Sequence, residues 1–196
     1  MNYSIFDVDG TILDSMEVWN TLASRYIQSL DRIPEKNLDE IVSEMSLEQS
    51  AKYLKNRYRI NKQEEVIISE VLNLISDFYK YEVKLMPGFK DFITHFDSMN
   101  VIGTSCDEEL VKSALKRLGV LDYFEDIMTC SKVNKGKDDP GFYLACADIL
   151  EQKPDNIFVF EDADYCIDAA RKVGFKVIKI KDWRDLNEEC INNCGK

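Results

Sequence analysis

The pattern of apolar and polar positions changes character twice along the chain. A short strand is predicted at 3–6, and it runs directly into an acidic turn, Asp7-Val8-Asp9-Gly10-Thr11. From about 15 to 84 the apolar positions recur only at helical spacing. Met16, Trp19, Leu22, Ala23, Tyr26, Ile27 and Leu30 form one stripe, and Leu38, Ile41, Val42 and Met45 form a second. Ser46-Leu47-Glu48-Gln49 has the spacing of a capping box, which predicts a third helix through Leu54. Val66, Ile67, Val71, Leu74, Ile75 and Phe78 mark a fourth. Stripes of this kind are the inner faces of a small helical bundle.

From Met86-Pro87-Gly88 onward the pattern alternates. Phe89, Phe92, Ile93 and Phe96 predict a helix, and 101–105 a strand. Leu110, Val111, Ala114, Leu115 and Leu118 predict a helix closed by Gly119. A short strand follows at 127–130, then a helix that starts at Asp139-Pro140 with a cap residue and a first-turn proline. An apolar strand at 157–160, a helix carrying Ile167, Ala170 and Val173 that ends at Gly174, and a strand at 176–180 complete the series. Such alternation predicts a mostly parallel sheet covered by helices. No internal repeat or low-complexity tract is visible.

Composition narrows the classes. At 196 residues, 45% of them hydrophobic, the chain suits one core or one core with a sizeable insertion. Lys and Arg number 25 against 36 Asp and Glu, a net charge of −11. An acidic surface repels the phosphates that supply most nucleic-acid affinity, so no nucleic-acid partner is expected. No polybasic cluster suits an anionic membrane surface, and no apolar run is long enough to span a bilayer. The start, MNYSIFDVDG, lacks the basic and apolar regions of a secretory leader. The six cysteines are therefore expected as reduced thiols in the cytoplasm. Cys190 and Cys194 are four apart with no histidine following, a weak zinc signal.

Two carboxylates at the end of a parallel strand lie where open α/β sheets bind ligands. Gly10 lets the chain turn at once, leaving Asp7 and Asp9 free to converge. Acids this close repel unless a cation or a proton sits between them, and Mg²⁺ with oxygen ligands is a natural neutraliser. The plain alternative is a solvated acidic turn.

Asp7-Val8-Asp9-Gly10-Thr11-Ile12-Leu13-Asp14-Ser15 resembles the first motif of the haloacid dehalogenase-like phosphohydrolase superfamily. Three further segments match in order. Val101-Ile102-Gly103-Thr104-Ser105 resembles the second motif, and Lys135-Gly136-Lys137-Asp138-Asp139-Pro140 the lysine-bearing third. Phe158-Val159-Phe160-Glu161-Asp162-Ala163 resembles the fourth, an acidic pair after an apolar strand. The resemblance implies an α/β fold: a Rossmann-like parallel sheet core, 1–14 and 85–196, with an inserted all-helical C1-type cap at 15–84.

The resemblance also implies roles. Asp7 is the expected nucleophile, forming an aspartyl-phosphate, and Asp9 the acid and base for the leaving alkoxide and the attacking water. Thr104 and Lys137 are expected to hold the phosphoryl group as catalytic partners, with Gly10 and Ser105 binding substrate. Mg²⁺ is expected on Asp7, the Asp9 backbone carbonyl and Asp162, with Glu161 a ligand or one step behind it. Asp9 favours phosphate-ester chemistry, because the family's dehalogenases have no carboxylate there and its P-type ATPases have threonine. The third motif departs from the common Gly-Lys-Pro-x-Pro, carrying Asp138 and Asp139 instead; spacing to Pro140 favours Lys137 over Lys135 as the inward lysine.

The expected function is hydrolysis of a small phosphorylated metabolite, a sugar phosphate or similar monoester, by a cytoplasmic monomer. Two alternatives stay open. One is a phosphomutase of the β-phosphoglucomutase type, whose cap histidine and Gly-x-Ser-Arg segment are missing at 15–20 and 43–48. The other is a non-catalytic phosphometabolite-binding regulator. Trp19 reads as packing before pocket lining, and Tyr53, Tyr58, Tyr79 and Tyr81 as packing or rim residues. Arg25, Lys52, Lys55 and Arg57 could meet a second anionic group or be simply solvated. His95, the one histidine, reads as a surface residue, and Cys106 as a bystander or a thiol within the site.

Overall fold

Five short apolar strands build the centre of the molecule: β1 (Asn2–Phe6), β2 (Ser98–Thr104), β3 (Asp126–Thr129), β4 (Ile157–Glu161) and β5 (Lys176–Lys179). The computed structural model describes residues 2–43 and 45–186. Every strand pairing is parallel, in the order β3-β2-β1-β4-β5. Parallel neighbours require crossovers, and helices supply them on both faces. The strands β4 and the middle of β2 are buried throughout, as a two-sided sheet demands. Starting from β1, the chain first builds toward β3 and then returns to the other side of β1. The resulting switch point lies between the carboxyl ends of β1 and β4, the place where such sheets open a ligand crevice.

The helices are α1 (Met16–Ser29), α2 (Leu38–Val42), α3 (Leu47–Tyr58), α4 (Glu64–Asp77), α5 (Phe89–His95), α6 (Glu108–Leu118), α7 (Cys130–Val133), α8 (Pro140–Leu150) and α9 (Asp164–Lys172). The first four follow β1 in the chain, with α1 against α2 and α4, and α3 against α4. The capping box forms: Ser46 Oγ accepts from the Gln49 amide at 3.2 Å, and Gln49 Oε1 accepts from the Ser46 amide at 2.8 Å. Helix α3 runs beyond Leu54 to Tyr58, where Arg59 turns left-handed and ends it. Helix α4 passes into one π-helical turn, Phe78–Glu82, which periodicity alone does not predict.

Every strand has an edge that differs from the sequence expectation, and two of these shifts have a visible cause. Strand β2 begins at Ser98, before its apolar stretch, because Ser98, Met99 and Asn100 pair with Asn2, Tyr3 and Ser4. The buried Asn100 satisfies its amide on the Tyr123 carbonyl at 3.0 Å. At the other edge, Cys130 leaves β3 to open α7, whose cap is Thr129. The proline start of α8 holds, with Asp139 Oδ1 accepting from the Gly141 amide at 2.7 Å.

One face of the sheet packs against α8 and α9. The other carries an aromatic cluster beneath the acidic turn. Phe6 stacks on Phe160 at 4.5 Å between centroids, and Trp183 packs against Phe6, Phe89, Phe92 and Phe160. The Trp183 indole donates to the Thr11 carbonyl at 2.7 Å. A large buried ring thus ties the turn to the core, and truncating it costs roughly 3–5 kcal/mol. Cys190 and Cys194 lie outside the described residues.

Candidate active site

The site grows from the end of β1. The Asp7 amide donates to the Phe160 carbonyl at 3.0 Å, the last rung joining β1 to β4. The chain then wraps on itself: the Ile12 and Leu13 amides both donate to the Val8 carbonyl at 2.8 Å. Gly10 makes the wrap possible at φ 85°, and a Cβ there would stand 2.4 Å from Asp162 Oδ2. Glycine is therefore needed twice at this position, for its backbone conformation and for the close approach of the second acidic loop.

Lys137 comes from the loop between α7 and α8 and is buried. Its ammonium donates to Asp7 Oδ1 at 2.6 Å and also to Glu161 Oε1. Lys135 points elsewhere and pairs with Asp139 at 2.8 Å, so Lys137 is the inward lysine. Of the two extra acids in this loop, Asp139 caps α8 and Asp138 is exposed. Glu161 has both oxygens occupied. Tyr143 donates to Oε1 at 3.2 Å, and the Asp162 and Ala163 amides donate to Oε2 at 3.0 and 3.3 Å. By contrast, Asp7 Oδ2 is buried with no hydrogen-bond partner.

Carboxylate oxygens of Asp7, Glu161 and Asp162 all lie within 4.8 Å of one another. This crowding acts on their protonation. Burial pushes Asp7 well above the usual carboxylate range; Lys137 opposes the shift, and Glu161, Asp162 and Asp9 add to it. Burial, then Glu161, pushes Asp162 up to about 6. Burial works to lower Lys137, but Asp7 and Glu161 beside it hold its ammonium well above the ordinary lysine value. Four acids, counting Asp9, face one ammonium. An acceptor-only oxygen orphaned in such a cluster fits a hard, oxygen-seeking cation such as Mg²⁺.

Asp9 has a different setting. Its Oδ1 accepts from Ser15 Oγ at 2.6 Å and from the Tyr79 hydroxyl. The Tyr79 oxygen in turn accepts from the Trp19 indole at 2.7 Å. Burial raises Asp9, and the hydrogen bonds from Ser15 and Tyr79 oppose that rise. Tyr79 is thus no rim residue: it is fully buried, with its hydroxyl on Asp9. The four-residue spacing of Val71, Ile75 and Tyr79 could have revealed it, since a buried tyrosine needs a partner for its hydroxyl. Trp19 both packs and lines the cavity.

Thr104 and Ser105 close the floor at the end of β2. Thr104 is buried and its Oγ1 accepts from the Cys106 amide at 3.0 Å. Ser105 Oγ lies 3.4 Å from Cys130 Sγ and lines the cavity. Burial pushes the Cys106 thiol up, with Asp9 adding to it, which disfavours a reactive thiolate. His95 is exposed and its ring meets groups of its own helix, the Asp91 carbonyl at 2.8 Å and Thr94 Oγ1 at 3.2 Å.

Above the floor is a cavity of about 510 Å³. Its far wall comes from α1–α4 and includes Met16, Trp19, Leu22, Val42, Met45, Leu54 and Val71. Of the basic residues named from the sequence, Arg57 pairs with Glu35 at 2.7 Å and Lys55 with Glu64 at 3.5 Å, and Arg25 does not line the cavity. Lys52 lines a separate depression with Arg57 and Arg59.

This sheet order, with an acidic cluster and a buried lysine at its switch point, defines a class that the comparisons name. The sequence profile of the haloacid dehalogenase-like hydrolases matches residues 4–180, and the chain belongs to that family of enzymes. Among its relatives, a β-phosphoglucomutase of Bacillus subtilis is 26% identical, over 92% of this chain and 83% of its own. A fructose-1-phosphate phosphatase of Escherichia coli is 25% identical, over 90% of this chain and 95% of its own. The crystal structure of a β-phosphoglucomutase from Clostridium difficile superposes with a TM-score of 0.81 over 100% of this chain and 97% of that one; at 18% identity this likeness concerns the fold alone. No helix among the described residues is long and apolar enough to cross a membrane.

Proposed function

We propose that this chain is a Mg²⁺-dependent phosphatase of small phosphorylated metabolites, working through an aspartyl-phosphate on Asp7. The observation that carries the reading is the state of Asp7. One oxygen is held by Lys137 and the other is buried, unpartnered and close to two further carboxylates. A buried carboxylate with one held oxygen and one free oxygen suits a metal-bridged nucleophile.

Mg²⁺ would be held by Asp7, Asp162 and the Asp9 carbonyl. The donors that fill both Glu161 oxygens support a place for Glu161 behind the metal, orienting Lys137 and the 162–163 backbone. When bound, the ion supplies positive charge between the carboxylates and the phosphoryl oxygens. Asp7 attacks phosphorus as the bond to the ester oxygen breaks, and Asp9 gives its proton to the leaving alkoxide. Asp9 then takes a proton from water, which attacks the aspartyl-phosphate and frees phosphate and Asp7. Lys137, Thr104, Gly10 and Ser105 hold the phosphoryl oxygens. We take 15–84 as a lid that shuts water out of the cavity.

The relative named β-phosphoglucomutase favours a second reading, phosphoryl transfer between two positions of one sugar. Trp19 in α1 and the stretch 43–48 weigh against it, because neither supplies the histidine or arginine that transfer would use for recognition. The deciding assay is phosphate release from a panel of phosphometabolites, with and without Mg²⁺, alongside Asp7→Asn. Phosphate release that persists in Asp7→Asn overturns the assignment, and conversion of glucose 1-phosphate to glucose 6-phosphate promotes the mutase.

A further inference from the structure

We propose that the ester this site takes carries one phosphate and an uncharged, predominantly apolar leaving group. The inference rests on the phosphatase reading above and concerns the far wall of the same cavity.

That wall is apolar where a leaving group must lie. Trp19, Leu22, Val42, Met45 and Leu54 converge on it from three helices and a turn. The polar groups on it are few and uncharged, Asn20, Ser43 and Ser50, apart from Asp39. Asp39 accepts from the Ser24 amide at 3.0 Å and from the Ser24 hydroxyl, and has no ion-pair partner among the described residues. Among the described residues, Lys137 is the one Lys or Arg lining the cavity, and Asp7 and Glu161 already engage it.

Three consequences follow for a bound ester. A second phosphate or a carboxylate on the leaving group would lose its water, find no cation, and meet the like charge of Asp39. A polyhydroxylated leaving group would bury hydroxyls against hydrocarbon with few acceptors to satisfy them. A hydrocarbon chain or ring instead gains from each methylene removed from water. The cavity, at about 510 Å³, has room for such a group beside the phosphate.

The test uses the full chain with Mg²⁺ and the primary alkyl phosphates from ethyl to hexyl. Their leaving alkoxides have nearly equal basicity, so differences in kcat/KM report contact with the wall. Fructose 1-phosphate, fructose 1,6-bisphosphate and p-nitrophenyl phosphate complete the panel. The expected kcat/KM rises about 3-fold per methylene, roughly 80-fold from ethyl to hexyl. Hexyl phosphate is expected to exceed the bisphosphate by about 100-fold or more. A flat response to chain length, or a sugar phosphate or bisphosphate turned over faster than hexyl phosphate, overturns the inference and leaves the phosphatase reading standing. No turnover of any ester, p-nitrophenyl phosphate included, overturns both. Met45→Lys places an ammonium on the wall and should raise the bisphosphate-to-hexyl ratio at least about 10-fold; Ser50→Lys makes the same change from α3 should the first variant misfold. An unchanged ratio in either folded variant also counts against the inference.

Discussion

The floor and the far wall of the cavity obey opposite rules. On the floor the charged groups are held by one another and by the backbone: Lys137 binds two carboxylates, and Glu161 takes donors on both oxygens. On the wall, Leu22 and Leu54 are buried without polar duties, and Arg57 and Lys55 of α3 pair with Glu35 and Glu64. The floor is built from strand ends and one tight turn, where the backbone is over-determined by the sheet, and from the α7–α8 loop that carries Lys137. The wall is built from short helices joined by loops, where a side chain can change without disturbing a ladder. The proposed chemistry, which tolerates little displacement, falls on the rigid part, and the proposed selection of the leaving group on the adaptable part.

The sharpest break of this contrast is Asp7→Asn. It keeps the shape of the floor and removes the carboxylate proposed as nucleophile, so phosphate release should fall by roughly 10⁴-fold or more with unchanged circular dichroism. Chelation with EDTA should likewise take activity to background, and added Mg²⁺ should restore it. Activity that survives chelation would mean that the cluster of Asp7, Glu161 and Asp162 serves something other than a metal.

Lys137→Met sharpens the comparison from the stability side. Activity should drop about 10²–10³-fold as the phosphoryl group loses a fixed positive charge. The variant also leaves Asp7 and Glu161 buried without their ammonium, a loss of roughly 3–5 kcal/mol in metal-free protein. Mg²⁺ should recover part of that loss, because a cation that binds only the native state stabilises it. Chemical denaturation with and without Mg²⁺ measures both quantities. A wall substitution such as Leu54→Ala should behave oppositely: it costs stability of similar size, about 2–5 kcal/mol, with no dependence on Mg²⁺.

The same contrast explains what was legible beforehand. Asp7, Asp9, Lys137, Glu161 and Asp162 could be named from the sequence because the segments that carry them resemble the family's motifs, and the structure brings these side chains together. The alternation of strands and helices was legible because the period of the apolar pattern changes between them, and with it the parallel sheet. Ser98–Asn100 was not, because its polar residues join β2 through backbone pairing to β1 and not through apolar contrast. Trp183 was missed because its partner, the Thr11 carbonyl, is distant in the chain and offers no local signal. Tyr79 packs in the core, one of the two places its sequence allows, but a packing stripe does not show that its hydroxyl ends on Asp9. The wall residues were legible as apolar stripes, but a stripe does not say whether a side chain meets another helix or a ligand.

The smallest expected effect probes where floor and wall touch. Trp19 is a wall residue whose indole reaches Tyr79, and Tyr79 reaches Asp9. An indole N–H can only donate, so it occupies an acceptor site on the Tyr79 oxygen and leaves the Tyr79 proton directed at Asp9. Asp9 Oδ1 then accepts two hydroxyl donors, from Ser15 and Tyr79, which leaves Oδ2 for the proton transfer proposed for Asp9. Tyr79→Phe removes a donor outright and should lower kcat about 10-fold. Trp19→Phe keeps both donors to Asp9 and removes only the group that fixes the hydroxyl rotor, so kcat should fall roughly 3-fold. If Asp9 is oriented from the wall, both variants lower kcat alike on all the alkyl and sugar esters, and least on p-nitrophenyl phosphate, whose leaving group scarcely needs a proton. A fall confined to KM would mean that Trp19 and Tyr79 shape only the pocket, and that floor and wall work independently.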